Sequence, residues 1–320
     1  ARPTAARSAR APRTAGAALA AAMAEDEKAQ FKDSQIVPNP ALAAERLFGV
    51  AGKVALVTGG SRGIGLMIAK AYVQNGARVY ISARTADVCG RVAAELTRLG
   101  PGTCASLPAD LASDAACRAL AAKVAEREDK LHILVNNAGA VWSAPFSEFP
   151  EHAWATILNL NVTSIFNLTR ACAPLLIRGS GGNMEPSHVI NVGSVAGHPR
   201  CHVSNTTPSY VASKAATAQV SRFLAAKLVK DGVVVNCIQP KVFPSKMTLD
   251  YQLENSKSRE ATRLLHPVGR YGHENDMAGM ALFLSSKASA FVTGETICLD
   301  GGSTYISGAD RLPPGASAKL

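Results

Sequence analysis

No stretch of this 320-residue chain runs unbroken through about 18 apolar residues, the length at which a helix becomes a candidate to cross a bilayer. Nothing in the sequence therefore reads as a membrane span. Close cysteine pairs are also lacking: Cys89, Cys104, Cys117, Cys172, Cys201, Cys237 and Cys298 stand singly, without the spacing of a zinc site or a disulfide framework. A reducing compartment and small buried apolar roles follow for them, with Cys201 the one set in a polar loop. The net charge of +10 comes without an aromatic-interleaved basic stripe, which argues against a nucleic-acid partner. Acidic residues are absent before Glu25, while Arg2, Arg7, Arg10 and Arg13 lie in that stretch. Such a start has the character of a mitochondrial or plastid transit peptide, and Met23-Ala24-Glu25-Asp26 equally has that of a natural start. The expected location is the cytoplasm, or an organelle if residues 1–22 are a transit peptide.

What is present is a hydrophobic fraction of 47%, enough to bury a substantial core. Residues 1–48 read as a leader and a proline-broken arm, 49–306 as one domain, and 307–320 as a tail. Within the domain, short β-branched runs alternate with longer helical patterns. The runs are Val54–Val57, Arg78–Ile81, Thr103–Leu107, Leu131–Val135, His188–Val192, Val233–Ile238 and Glu295–Leu299. Nearly continuous apolar strands suit a sheet covered on both faces. The fold class expected is α/β: a Rossmann-type doubly wound parallel sheet of about seven strands with helices on both sides.

Directly after the first strand stands Thr58-Gly59-Gly60-Ser61-Arg62-Gly63-Ile64-Gly65, opening a helix that runs to Gln74. Glycines let the backbone turn sharply and approach a pyrophosphate, whose charge the helix N-terminus meets. Gly59, Ser61, Arg62, Gly63, Ile64 and Gly65 are thus candidates to bind a dinucleotide. The second strand ends in Ser82-Ala83-Arg84, where an NAD-selective site places a carboxylate on the ribose hydroxyls. Arg84 with Arg62 instead suits a ribose 2′-phosphate, so NADPH is preferred over NADH. Asp110-Leu111, after the third strand, suits an adenine contact, or Asp110 N-caps a helix beginning at Ala112.

An amphipathic pattern continues through Tyr210-Val211-Ala212-Ser213-Lys214 and puts a phenol and an ammonium one helical turn apart. A cation beside a partly dehydrated phenol lowers its pKa and makes it a candidate general acid. By itself such a pair arises by chance in roughly one sequence in four of this composition.

The order of motifs settles more. The glycine loop, Asn136-Asn137-Ala138-Gly139, Ser194, then Tyr210 and Lys214 resemble the short-chain dehydrogenase/reductase family. So do Gly269-Arg270-Tyr271-Gly272, Phe291-Val292-Thr293-Gly294 and Asp300-Gly301-Gly302 near the end. Trp142, Asn159 to Ser164, Ile190 to Gly197 and Phe243 to Thr248 look most like 3-oxoacyl reductases of the rhamnolipid-pathway type. The resemblance implies that Tyr210 donates a proton to a carbonyl oxygen as hydride arrives. Lys214 would bind the nicotinamide ribose and lower the phenol pKa, and Ser194 would orient the carbonyl. Asn161 would hold a water in a proton relay, although it or Asn159 can equally pin backbone. Asn137, Ala138 and Gly139 would border the adenosine ribose, with Pro240, Phe243 and Ser245 by the nicotinamide. Trp142 and Met184 read as packing or pocket wall. A homotetramer is implied, through the helices carrying Asn161 and Tyr210.

Two departures from that pattern matter. Lys241 follows Gln239-Pro240 where the family has glycine, and a positive φ there would strain a lysine by about 1 kcal/mol. The loop from Gly197 to Thr207 is longer than usual and borders the substrate entrance. His198 and His202 within it lack companions for a metal site, and no metal is expected. Thr248 to His266 reads as a helical lid. The function expected is NADPH-dependent reduction of a ketone, with an acyl-carrier-protein or coenzyme A 3-oxoacyl thioester as leading substrate. The alternatives are a sugar, steroid or secondary-metabolite carbonyl, and a dinucleotide-binding protein without catalysis.

Overall fold

The computed structural model describes residues 39–201, 206–245 and 266–306. The chain divides into two units, Ala1–Ala43 and Ala44–Leu320. In the first, the described residues form a 3₁₀ turn, Pro40–Leu42, whose Asn39 side chain accepts from the N–H of Ala41 at 3.0 Å.

The second unit holds the sheet. Its strands are β1 (Val54–Thr58), β2 (Arg78–Ser82), β3 (Thr103–Ser106), β4 (Ile133–Asn136), β5 (Ser187–Val192), β6 (Val233–Pro240) and β7 (Thr296–Leu299). They lie in the order β3-β2-β1-β4-β5-β6-β7 with every pairing parallel. All seven expected strands are present, with ends displaced by up to two residues. The α-helices are α1 (Ala44–Leu47), α2 (Gly63–Gln74), α3 (Ala86–Thr97), α4 (Asp114–Ala125), α5 (Glu151–Leu158), α6 (Ser164–Gly179), α7 (Pro208–Leu228) and α8 (Glu274–Leu284). A π turn, Asn159–Thr163, joins α5 to α6.

Alternation along the strands divides the core in two. Ala55, Val57, Val79, Ile81, Val135, Ile190 and Ile238 pack with α2, α3 and α8 on one face. Val54, Leu56, Tyr80, Leu134, Val189 and Val235 pack with α4, α6 and α7 on the other. β1, β5 and β6 are buried throughout, and β1 and β6 are accordingly mostly apolar, while β3 and β7 at the edges are only partly covered. The stretch Glu151–Gly179 is long and apolar enough to cross a membrane, but half of its most apolar part is buried in the domain. It forms α5, the π turn and α6.

Several local expectations change. Asp110 does not cap a helix at Ala112: α4 begins at Asp114, capped by Ser113, whose hydroxyl accepts from the N–H of Ala116 at 3.2 Å. The Asp110 carboxylate accepts from the N–H of Ala112 at 3.3 Å in the preceding turn. Met184 is 79% exposed on the surface loop after α6, so it neither packs nor lines a pocket wall. Lys241 is not strained, because no non-glycine residue among those described has positive φ. Its N–H donates to the carbonyl of Leu299 at 3.2 Å, continuing the β6–β7 ladder. The helical lid expected from Thr248 lies outside the described residues except for His266, as does His202.

Candidate active site

The strand order reverses between β1 and β4, and a doubly wound sheet offers its crevice at the carboxyl ends of the strands there. Thr58, the last residue of β1, builds that crevice. Its hydroxyl donates to the carbonyl of Val135 at 3.2 Å and accepts from the N–H of Asn137 at 2.9 Å and of Ala138 at 3.0 Å. The Asn137 amide donates to the carbonyls of Thr58 at 2.9 Å and Gly59 at 3.3 Å. The glycine loop and the Asn137-Ala138-Gly139 turn are therefore one hydrogen-bonded unit.

That unit fits a dinucleotide pyrophosphate. Gly59 and Gly63 have φ of 64° and 54°, and a Cβ at Gly65 would stand 2.4 Å from the Gly59 carbonyl oxygen. Arg62, the N-cap of α2, makes no side-chain capping bond, which leaves the first-turn N–H groups near Ile64 and Gly65 for an anion. A Cβ at Gly63 would stand 3.2 Å from that of Ser245, so the loop after β6 reaches the start of α2. Ser61 is half-buried. Arg62 and Arg84 are both exposed, just beyond the ends of adjacent strands β1 and β2 whose last residues, Thr58 and Ser82, are in register. Asp110 is exposed and Leu111 is buried in the core. Phe243 is only 2% exposed, and a Cβ on Gly272 would meet its ring at 2.5 Å. Its ring is thus core packing, and Pro240 is buried as the last residue of β6.

Ser194, Tyr210, Lys214 and Asn161 converge at the neighbouring strand ends. Ser194 follows β5 and caps the 3₁₀ turn Val195–Gly197, its hydroxyl accepting from the N–H of Ala196 at 3.2 Å. That turn packs against α7 so closely that a Cβ at Gly197 would stand 2.3 Å from Ala215 N. Pro208 opens α7 at a position where a missing N–H costs nothing. Tyr210 is half-buried, and Lys214 is 6% exposed with its Nζ 5.6 Å from the phenol ring centroid. The ammonium donates to the carbonyl of Val192 at 2.9 Å.

Burial pushes the Tyr210 phenol above its ordinary pKa, a hydrogen bond from Ser194 offsetting part of the rise. The lowering expected from Lys214 is not what results: dehydration sets the direction, only Ser194 opposes it, and the phenol stays protonated near neutrality. Burial brings Lys214 itself down to about 8, with nearby Cys237 acting in the opposite direction.

Asn161 sits in the π turn, a helix irregularity frequent at functional sites. Its amide grips Ala140 in both directions, donating to the carbonyl at 2.9 Å and accepting from the N–H at 2.9 Å. The amide also donates to the Ser213 hydroxyl at 2.9 Å. The backbone-pinning alternative raised for Asn161 is therefore present in the structure. A Cβ on Gly139 would stand 3.2 Å from Asn161 Oδ1 and 3.7 Å from Lys214 Nζ, so the clamp and the ammonium flank the same glycine.

The sequence reading passed over Thr58 and a stripe of hydroxyls on α7. Ser209, Ser213, Thr217 and Ser221 recur every four residues and show no exposed surface. That spacing was the available signal. Trp142 lies edge-on to His152 at 5.0 Å in the loop after β4. Among the described residues no group of three or more His, Cys, Asp or Glu side chains is arranged to hold a metal.

A doubly wound parallel sheet with a glycine loop at its switch point and a Ser-Tyr-Lys cluster beside it defines a dinucleotide-dependent oxidoreductase. The chain belongs to the short-chain dehydrogenase/reductase family: residues 59–304 match the family model described as Enoyl-(Acyl carrier protein) reductase. It is 43% identical over 255 residues to the rhamnolipids biosynthesis 3-oxoacyl-[acyl-carrier-protein] reductase of Pseudomonas aeruginosa, covering 80% of this chain and 97% of that protein. It is 35% identical over 259 residues to the galactitol 2-dehydrogenase (L-tagatose-forming) of Cereibacter sphaeroides, covering 81% and 97%. Among solved structures, the Pseudomonas aeruginosa RhlG/NADP active-site complex matches with a TM-score of 0.76 and 42% identity, over 81% of this chain and 98% of that one. A gluconate 5-dehydrogenase from Burkholderia cenocepacia in complex with NADP and tartrate matches with a TM-score of 0.72 and 29% identity, over 81% and 98%.

Proposed function

We propose that this chain reduces the ketone of a 3-oxoacyl thioester, carried on acyl-carrier protein or coenzyme A, to a secondary alcohol with NADPH. The observation that carries the reading is the convergence of Ser194, whose hydroxyl acts on the Tyr210 phenol, with the buried Lys214 ammonium 5.6 Å from the phenol ring centroid. Two hydroxyls on one side suit a carbonyl oxygen on which charge develops. NADPH, when bound, supplies the hydride. Tyr210 gives its phenolic proton to the carbonyl oxygen, and Ser194 donates a hydrogen bond to the same atom and holds the carbonyl in line. Lys214 binds the nicotinamide ribose and stabilises the phenolate that remains. Arg62 and Arg84 hold the ribose 2′-phosphate, and Asn161 fixes the loop that closes the cofactor cleft.

The thioester is favoured over a sugar by the resemblance to the Pseudomonas reductase, and by the apolar step Val141-Trp142 that follows the clamped Ala140. NADPH oxidation across 3-oxoacyl thioesters, cyclic ketones and keto sugars separates the readings. Turnover of the thioesters at least about tenfold above the others supports the proposal, and no thioester turnover sinks it. We further propose a single reductase domain over 49–306, a homotetramer, and a cytoplasmic site of action unless residues 1–22 direct the chain to an organelle. Mass spectrometry of the native N-terminus and sedimentation of the purified protein test these.

A further inference from the structure

We propose that Thr217 is a positioning residue for the reduction, its hydroxyl holding the π turn so that Asn161 keeps Ala140 and Gly139 in register with Lys214. The inference rests on the reductase reading for its kinetic consequence, and on the hydrogen bonds alone for its structural one.

Thr217 has no exposed surface, and its hydroxyl lies 3.1 Å from the carbonyl of Asn161 and 2.9 Å from that of Ser213. One proton is thus shared between the π turn and the helix bearing Tyr210. The neighbouring rungs make the hold two-sided. The Ser213 hydroxyl accepts from the Asn161 amide at 2.9 Å and donates to the carbonyl of Tyr210 at 2.7 Å. Behind Thr217, Ser221 donates to the Thr217 carbonyl at 2.7 Å and accepts from Asn191 at 2.8 Å. Asn191 in turn accepts from Asn136 at 2.8 Å. An unbroken buried chain therefore runs from the ends of β4 and β5, through α7, to the π turn and the Ala140 backbone.

A π turn gives up regular helical geometry and persists only where its surroundings hold it. Here the side-chain hold on its central residue consists of the Ala140 and Ser213 bonds to the amide and the Thr217 bond to the carbonyl. Relaxation of the turn by one residue would rotate Asn161 by about 100° around the helix and carry its amide away from Ala140. Asn161 Oδ1 would then release Gly139, whose other neighbour is the Lys214 ammonium. With the Gly139 backbone free to shift, the polar wall beside the buried ammonium loosens and the ammonium holds its proton less tightly.

Thr217→Val keeps the shape and removes the hydroxyl, and Thr217→Ser keeps the hydroxyl. In Thr217→Val we expect kcat to fall on the order of 10- to 100-fold with KM for NADPH within about twofold. The basic limb of the kcat profile should move to lower pH, and Ala140 amide exchange without cofactor should speed up about tenfold or more. Thr217→Ser should restore all three. An unchanged pH profile and unchanged Ala140 exchange in Thr217→Val overturn the proposal, as do equal losses in the Val and Ser variants. If Thr217→Val does not fold, Ser213→Ala removes the other partner of Asn161 and must give the same pH shift; an unmoved profile there also overturns it. Faster Ala140 exchange in a protein that reduces no carbonyl would leave the positioning role standing and remove the reductase reading.

Discussion

The hydroxyl of Thr58 accepts the main-chain N–H of Asn137 at 2.9 Å, tying the last residue of β1 to the turn after β4 across the switch point of the sheet. Thr58→Val deletes that acceptor and also strands the N–H of Ala138 and the carbonyl of Val135. Leaving a buried group unsatisfied costs about 1–3 kcal/mol, and three groups share the loss here. Urea denaturation should show destabilisation of about 2 kcal/mol or more. Because the glycine loop is built on the same bonds, NADPH affinity measured by fluorescence should fall with it.

Tyr210→Phe removes the phenolic proton and leaves the ring over Lys214. Turnover with the best thioester should drop by roughly 10²–10⁴-fold, the usual worth of a positioned general acid. NADPH binding should stay within about threefold, because the ammonium and the glycine loop are untouched. Unchanged turnover would remove Tyr210 from the mechanism.

The strands were legible because a sheet buried on both faces leaves little but β-branched and apolar residues in them, as β1 and β6 show. The order of motifs was legible too, since a glycine loop must follow its strand. Orientation was less so. The sequence sets Lys214 one turn from Tyr210 and so invites a lowered phenol pKa, but dehydration of the phenol prevails, and that depends on packing from elsewhere in the chain. Phe243 and Met184 show the same limit: apolar character alone does not say that one ring is sealed under Gly272 and the other side chain left in solvent. The π turn leaves no sequence periodicity of its own, and only its neighbours Ala140, Ser213 and Thr217 reveal why Asn161 lies there.

Arg84 stands beyond the end of β2 with no carboxylate among its immediate neighbours in the chain. Arg84→Ala should raise KM for NADPH by about 10- to 100-fold, the loss of one or two charge-assisted bonds to a phosphate. KM for NADH should change by less than about threefold. Equal effects on the two cofactors would show that the guanidinium does not read the 2′-phosphate.

Lys214 makes stability depend on pH. Its folded-state pKa is brought to about 8 from 10.5, so between those values the unfolded chain binds more protons than the native one. Stability from this group therefore rises as pH climbs through that window, by up to about 3 kcal/mol, and is lowest below it. Lys53 is likewise brought to about 8 by burial and contributes in the same direction. Lys214→Met should remove only its own share, so the gap between variant and wild type in urea midpoints should be widest at pH 7 and close toward pH 10.

Lys241 stands where the family has glycine, and the two residues predict opposite effects according to the backbone. A positive φ would make Lys241→Gly stabilising, by relieving the side chain of a left-handed conformation. The backbone at Lys241 is not left-handed, and its N–H extends the β6–β7 ladder to Leu299 at 3.2 Å. Glycine then only adds freedom to the unfolded chain, and Lys241→Gly should destabilise by about 0.5–1 kcal/mol. The Lys241 side chain borders a cavity of about 180 Å³ with Arg270, Asp276 and Asp300, and Arg270 is already committed to Asp276 at 2.9 Å. Stability should therefore respond to the backbone change and very little to Lys241→Ala, which keeps a Cβ. Paired denaturation of the glycine and alanine variants decides the matter: a stabilised glycine variant would mean that the loop after β6 is strained.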